Sequence, residues 1–197
     1  MIQNSCEHKP KEVFRCVLDG IERIFYASDY DNTVSFDKPQ CLVLNLTKEP
    51  HKTNVYDIDK LMVHMHIMFD EVVLGWRDGD IPPVLSSFWH AFEKYIEYNF
   101  YLDICLNCVA SHGRTGTALA SLMVAIKGVT AEEAINHIRK VHCSKAIETD
   151  SQVRYIFEMD NYYNNRQVPD EIDIRGSIML DLISKYELLG EEDEIEE

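Results

Sequence analysis

The chain has 197 residues, 46% of them hydrophobic and 10% aromatic, a composition that fits a globular protein with a real core and excludes a disordered one. Its formal net charge of −15 argues against nucleic acid and anionic membrane as partners, because both require basic surface. The longest apolar runs are too short and too polar to span a bilayer, and the stretch from Met1 to His8 lacks the basic and apolar regions of a signal peptide.

Residues 23–27 and 40–46 are predicted as strands, the second mostly apolar and central. Residues 28–33 between them are loop-like. Residues 63–69 alternate and form another predicted strand. Leu85, Phe88, Trp89, Phe92, Tyr95 and Ile96 recur at helical spacing, which predicts an amphipathic helix over 84–100, after Pro83. Residues 103–107 read as a short buried strand, and 117–126 as a mostly apolar helix stopped by Gly128. Thr130 to Glu133 has the pattern of a capping box opening a helix through Val141. Thr149 or Asp150 caps another helix to about Tyr163, and Pro169 breaks it. Strands alternating with helices give a three-layer α/β architecture. Residues 1–168 form one domain, 169–189 a C-terminal helical extension packed on it, and 190–197 an acidic, disordered tail.

One segment carries most of the chemical information: Cys108-Val109-Ala110-Ser111-His112-Gly113-Arg114-Thr115-Gly116. It lies between a strand's C-terminal end and a helix's N-terminus, where ligands bind in α/β sheets. Backbone N–H groups converge there on an anion, and the helix dipole favours negative charge. The same field favours the thiolate of a cysteine. A planar arginine at the far end can grip two phosphate oxygens at once.

This loop resembles the Cys-x5-Arg-Ser/Thr signature of the cysteine-dependent protein tyrosine phosphatase superfamily, with Thr115 as the hydroxyl residue after Arg114. Two further segments fit. Trp76 to Pro83 resembles the family's mobile acid loop, in which an aspartate precedes a proline by four residues, as Asp78 precedes Pro82. Gln152 resembles the glutamine that positions hydrolytic water. The similarity spans about residues 13 to 165, and the loop looks most like that of compact dual-specificity-like or microbial-type members. Two residues depart from the pattern: Asn107 replaces the usual histidine before the cysteine, and Ser111 stands where many members have glycine, so a Cβ must be accepted there.

The resemblance implies the phosphatase fold, a short, mostly parallel sheet flanked by helices on both faces. It also implies two-step hydrolysis of a phosphate monoester. Cys108 is the nucleophile, Arg114 and the loop from Val109 through Ala110, Ser111, His112 and Gly113 bind the phosphoryl group, and Asp78 is the acid. Gln152 places the water, Thr115 donates to the departing sulfur, and neither metal nor cofactor is required. Asp80 competes with Asp78 but lacks the spacing to Pro82, and Gln152 alone would read as a helix N-terminal residue. Cys105 and Cys108 form a Cys-x-x-Cys pair, in which Cys105 reads as a buried strand residue facing away from Cys108. His64 and His66 share a strand face, but no third metal ligand is evident.

With no lysine inside the loop and a strongly acidic chain, the expected partner is a phosphorylated protein, as phosphotyrosine and also phosphoserine or phosphothreonine. The alternatives are a phosphate-binding pseudophosphatase and an RNA 5′-triphosphatase. Six cysteines give no disulfide framework, and a required thiolate favours the cytoplasm. Oligomeric state leaves no mark in the sequence.

Overall fold

The computed structural model describes residues 8–18, 20–33, 41–47, 70–73 and 103–167. Within them a five-stranded sheet runs in the order β1 (Lys11–Leu18), β2 (Ile21–Asp29), β5 (Asp103–Cys108), β3 (Cys41–Asn45), β4 (Asp70–Val73). β1 pairs antiparallel with β2, and the remaining pairs are parallel. The expected mostly parallel sheet is therefore present, with an antiparallel edge strand that periodicity did not predict. The expected elements at 63–69, 84–100 and 169–197 lie outside the described residues.

β5 is central because it can be buried on both faces. Ile104, Leu106 and Cys108 join a large apolar cluster with Phe25, Leu42 and Leu44. Cys105, on the opposite face, packs with Tyr26, Cys41 and Val43. The Cys-x-x-Cys pair is thus split between two faces of the sheet, as alternation requires.

Three helices pack around the larger cluster. α2 (Gly113–Lys127) follows β5 directly and ends at Gly128, whose φ of 64° is the left-handed cap that glycine adopts without strain. α3 (Ala131–Val141) opens on the reciprocal Thr130–Glu133 capping box. α4 (Asp150–Asn164) opens on a second box, Thr149 with Gln152. α2 is buried along nearly its whole length, so its small residues, Gly116, Ala118, Ala120 and Ser121, let neighbouring elements approach closely. The carboxylate of Asp160 on α4 accepts the N–H of Ala131 at 3.0 Å and Arg166 Nη1 at 2.7 Å, locking the end of α4 onto the start of α3.

The segment at 28–33 is more ordered than a loop. Tyr30–Thr33 forms one helical turn, α1, whose start is capped by Asp29: Oδ1 accepts the N–H of Asn32 at 2.7 Å. Local capping by an aspartate, rather than hydrophobic periodicity, makes this turn.

Candidate active site

The parallel register aligns the C-terminal ends of three strands. Asp29 on β2 lies opposite Cys108, and Asn45 on β3 lies opposite Asn107. The chain leaves β5 at Cys108 and enters α2 within five residues, so the segment from Cys108 to Arg114 closes over that end of the sheet. Cys108 is buried at 3% exposure and Arg114 at 7%. The side chain of Arg114 folds back from the first turn of α2, and Nη1 donates to the carbonyl of Leu46, just past β3, at 3.4 Å. Nucleophile and guanidinium candidates are thereby held at one sheet end by different elements.

The loop's shape depends on Ser111, whose φ of 59° is left-handed. This is the position where a glycine is common and a Cβ must be tolerated. Two neighbours pin it. Nε2 of His142, just past α3, lies 2.6 Å from the Ser111 carbonyl and 3.2 Å from Ser111 Oγ. The carbonyl of His112 accepts the N–H groups of Gly116, at 3.0 Å, and Ile147, at 3.3 Å. Among the described residues the loop's hydrogen bonds use these carbonyls, and none takes up a backbone N–H from Val109 to His112. Carbonyls tied down on one side leave the amide groups available to an anion.

The imidazole of His142 is buried, and desolvation, opposed by its hydrogen bond to Ser111, lowers its pKa to about 4. It is therefore neutral at physiological pH and donates Nε2–H to the Ser111 carbonyl. Sequence reasoning did not single out His142, because the 31 residues that separate it from Ser111 carry no periodic signal.

The other candidates fall as follows. Gln152 is 2% exposed, and its Oε1 accepts the N–H of Thr149 at 3.4 Å, closing the α4 capping box, and that of Glu148 at 2.7 Å. It also abuts the loop: a Cβ on Gly113 would lie 2.7 Å from Gln152 Nε2. Gln152 is thus a helix N-terminal residue, as one of its two readings has it, placed beside the loop. Thr115 is fully buried, and its hydroxyl has no hydrogen-bond partner among the described residues. The expected bond from Thr115 to the Cys108 sulfur is not made. Asn107 uses Nδ2 to donate to Thr33 Oγ1 at 3.0 Å, tying β5 to α1, while its buried Oδ1 has no hydrogen-bond partner among the described residues. Val109 and Ala110 are exposed, Val109 at 65%. His112 is half-buried. Asp78, Asp80, Pro82, His64 and His66 lie outside the described residues.

Histidine also gathers at the loop from the far end of the sequence. His8 Nε2 lies 2.7 Å from His112 Nε2, and the His8 ring is 4.8 Å from that of His142. Burial, then the neighbouring His112, lowers the pKa of His8.

No protein-family model matches the chain. Among curated proteins it is 36% identical over 56 residues to an uncharacterized protein of Methanocaldococcus jannaschii, covering 28% of this chain and 36% of that one. It is 26% identical over 109 residues to a phosphatidylinositol 3,4,5-trisphosphate 3-phosphatase of Schizosaccharomyces pombe, covering 52% of this chain and 31% of the relative. An Arabidopsis thaliana protein named as both a phosphatidylinositol 3,4,5-trisphosphate 3-phosphatase and a protein-tyrosine-phosphatase is 24% identical over 139 residues, covering 64% and 23%. The chain thus matches roughly a third or less of the length of these relatives. Among solved structures, Tk-PTP in its active form superposes with a TM-score of 0.52 at 17% identity, covering 77% of this chain and 97% of that one. Kinase associated phosphatase gives 0.53 at 15% identity, covering 83% and 100%. At such low identity these two superpositions establish a shared fold. Taken with the sequence similarity to named phosphatases and the segment from Cys108 to Arg114, they make the chain similar in fold and in local sequence to cysteine-dependent protein tyrosine phosphatases.

Proposed function

We propose that the chain hydrolyses phosphate monoesters through a cysteinyl-phosphate. The observation that carries this reading is the loop itself: Cys108 and Arg114 are buried at one end of the sheet, on either side of a left-handed Ser111 whose carbonyl is held by His142. The Cys108 thiolate attacks phosphorus in line, forming the S–P bond as the bond to the leaving oxygen breaks. Arg114 and the loop amides hold the non-bridging oxygens, where transition-state charge collects. Asp78 protonates the leaving oxygen, then takes a proton from the water that cleaves the S–P bond. Gln152, against Gly113, positions that water.

The substrate class we favour is a phosphorylated protein side chain, since the chain carries a net charge of −15 and its loop has no lysine. The same charge disfavours nucleic acid and anionic membrane as partners, and the thiolate favours a reducing compartment such as the cytoplasm. A second reading, an inositol phospholipid, is supported by the names of the Schizosaccharomyces and Arabidopsis relatives.

The test is turnover of para-nitrophenyl phosphate, a phosphotyrosine peptide and a short-chain phosphatidylinositol 3,4,5-trisphosphate by the parent and by Cys108→Ser. Hydrolysis by the parent that vanishes in Cys108→Ser, with phosphate binding kept, is the expected result. Serine activity within tenfold of the parent would sink the cysteine mechanism. A lipid kcat/KM above that of the peptide would favour the second reading.

A further inference from the structure

Three donor groups meet beside the phosphate loop without a role in the hydrolysis proposed above. A ring nitrogen of His8, a ring nitrogen of His112 and Sγ of Cys143 all lie within 4.8 Å of one another, and all three residues are half-buried. They come from the segment before β1, the loop itself and the segment after α3. We propose that these residues form a zinc site, with water as the fourth ligand.

The donor set suits that ion. Two imidazoles and a thiolate match the borderline-soft preference of zinc, and because bonds of about 2.0–2.3 Å set tetrahedral donors about 3.3–3.6 Å apart, binding requires a modest side-chain rotation that parts the two ring nitrogens and brings in the sulfur. The two ring nitrogens already face each other at 2.7 Å. His112 has an outer ring partner of the kind that orients a metal ligand, and His8 is held by its backbone. Glu148 Oε1 lies 3.5 Å from His112 Nδ1, on the far side of that ring from His8. His8 is anchored to the end of β2 through its backbone: its N–H donates to Asp29 Oδ2 and its carbonyl accepts the Asp29 N–H, each at 2.9 Å. Binding releases the Cys143 thiol proton to solvent as the S–Zn bond forms. The ion would fasten the phosphate loop to two segments remote in sequence.

The test uses the full chain, stripped with a chelator and dialysed, and needs no phosphatase activity. Titration with Zn²⁺ against a chromophoric chelator should give one zinc per chain. Co²⁺ should give tetrahedral d–d bands and a thiolate-to-cobalt charge-transfer band. His8→Ala and Cys143→Ser should each weaken binding at least tenfold, and Cys143→Ser should abolish the charge-transfer band. Cys108→Ser should keep both within threefold, which separates this site from metal capture by the nucleophile. In the unmutated chain, zinc should protect Cys143 from alkylation, a readout that does not depend on how the variants fold. Absence of stoichiometric binding, loss of the band in Cys108→Ser with its retention in Cys143→Ser, or undiminished alkylation of Cys143 in the zinc-loaded protein would each overturn the proposal.

Discussion

His142 holds Ser111 in its left-handed conformation from outside the loop, with Nε2 2.6 Å from the Ser111 carbonyl and 3.2 Å from its hydroxyl. A non-glycine residue at φ 59° is unfavourable by itself, so it needs such a partner. His142→Ala leaves a buried carbonyl unpaired, a loss of roughly 1–3 kcal/mol. It also frees the loop to shift, and misplacement of about 1 Å costs on the order of 100-fold in rate. The expected result is a 10- to 100-fold lower kcat/KM for an aryl phosphate, largely restored in His142→Gln, whose amide can donate to the same carbonyl. Alanine activity equal to the parent's would mean that the loop holds its own shape.

The same residue makes stability depend on pH. In the fold its pKa is lowered to about 4, whereas an exposed histidine titrates near 6.5. As pH falls below about 6.5 the unfolded chain takes up the proton first, so folding is penalised progressively until about pH 4. No penalty exists at pH 7.5, where the ring is neutral in both states. The full difference is roughly 3 kcal/mol at most, and His8 shifts in the same direction. Urea midpoints measured in chelator at pH 7.5 and pH 5 should fall with pH, and the fall should be smaller in His142→Gln. Equal slopes in the two proteins would assign the effect to other groups.

Gly116 lies where α2 presses on the segment before α4. A Cβ there would meet the Ala146 Cβ at 3.0 Å and the Ile147 backbone nitrogen at 3.1 Å. Alanine favours a helix over glycine by about 1 kcal/mol, but overpacking against backbone costs about 1–3 kcal/mol. Relief would also stretch the Ile147 N–H bond to the His112 carbonyl. Gly116→Ala should therefore destabilise by about 1–2 kcal/mol and slow turnover. A gain in thermal midpoint would show that propensity outweighs the contact.

Most of the fold was readable where the signal is local. Thr130 with Glu133 is a short motif that forms the reciprocal bonds its spacing implies, and of the two caps offered for α4, Thr149 and Asp150, it is Thr149 that caps, with Gln152 as its reciprocal partner. β5 and α2 were readable because apolar runs are bounded by turn residues. β1 was not, because an irregularity between Glu12 and Phe14 breaks the period-two pattern and puts Val13 and Phe14 both in the core. At the site, Cys108, Arg114 and the strain at Ser111 follow from one contiguous motif. His142 and His8 do not, because tertiary packing alone brings them to the loop, His8 from 104 residues before His112.

Arg114 is held by its contact with the Leu46 carbonyl and is nearly buried. Its proposed task is a planar, two-pronged grip on phosphate oxygens, which a lysine ammonium cannot reproduce. Arg114→Lys should lose almost as much kcat/KM as Arg114→Ala, with both retaining the fold by circular dichroism. A lysine variant keeping most of the activity would reduce the arginine to bulk positive charge.

The acid is tested by leaving group. Asp78 has the four-residue spacing to Pro82, and Asp80 does not. Asp78→Asn should slow hydrolysis of a phosphoserine peptide, a poor leaving group, by roughly two to four powers of ten. An activated aryl phosphate needs little proton help, so its loss should be much smaller. The alkaline limb of the pH–rate profile reports deprotonation of the acid and should flatten in this variant. The acidic limb, set by the Cys108 thiolate or the substrate dianion, should remain. Asp80→Asn should change neither the leaving-group dependence nor the alkaline limb. If the two variants exchange these behaviours, the acid is Asp80 and the loop is displaced by two residues from the family spacing. If neither shows them, the proton comes from elsewhere, and a phosphate-binding protein without turnover becomes the better reading.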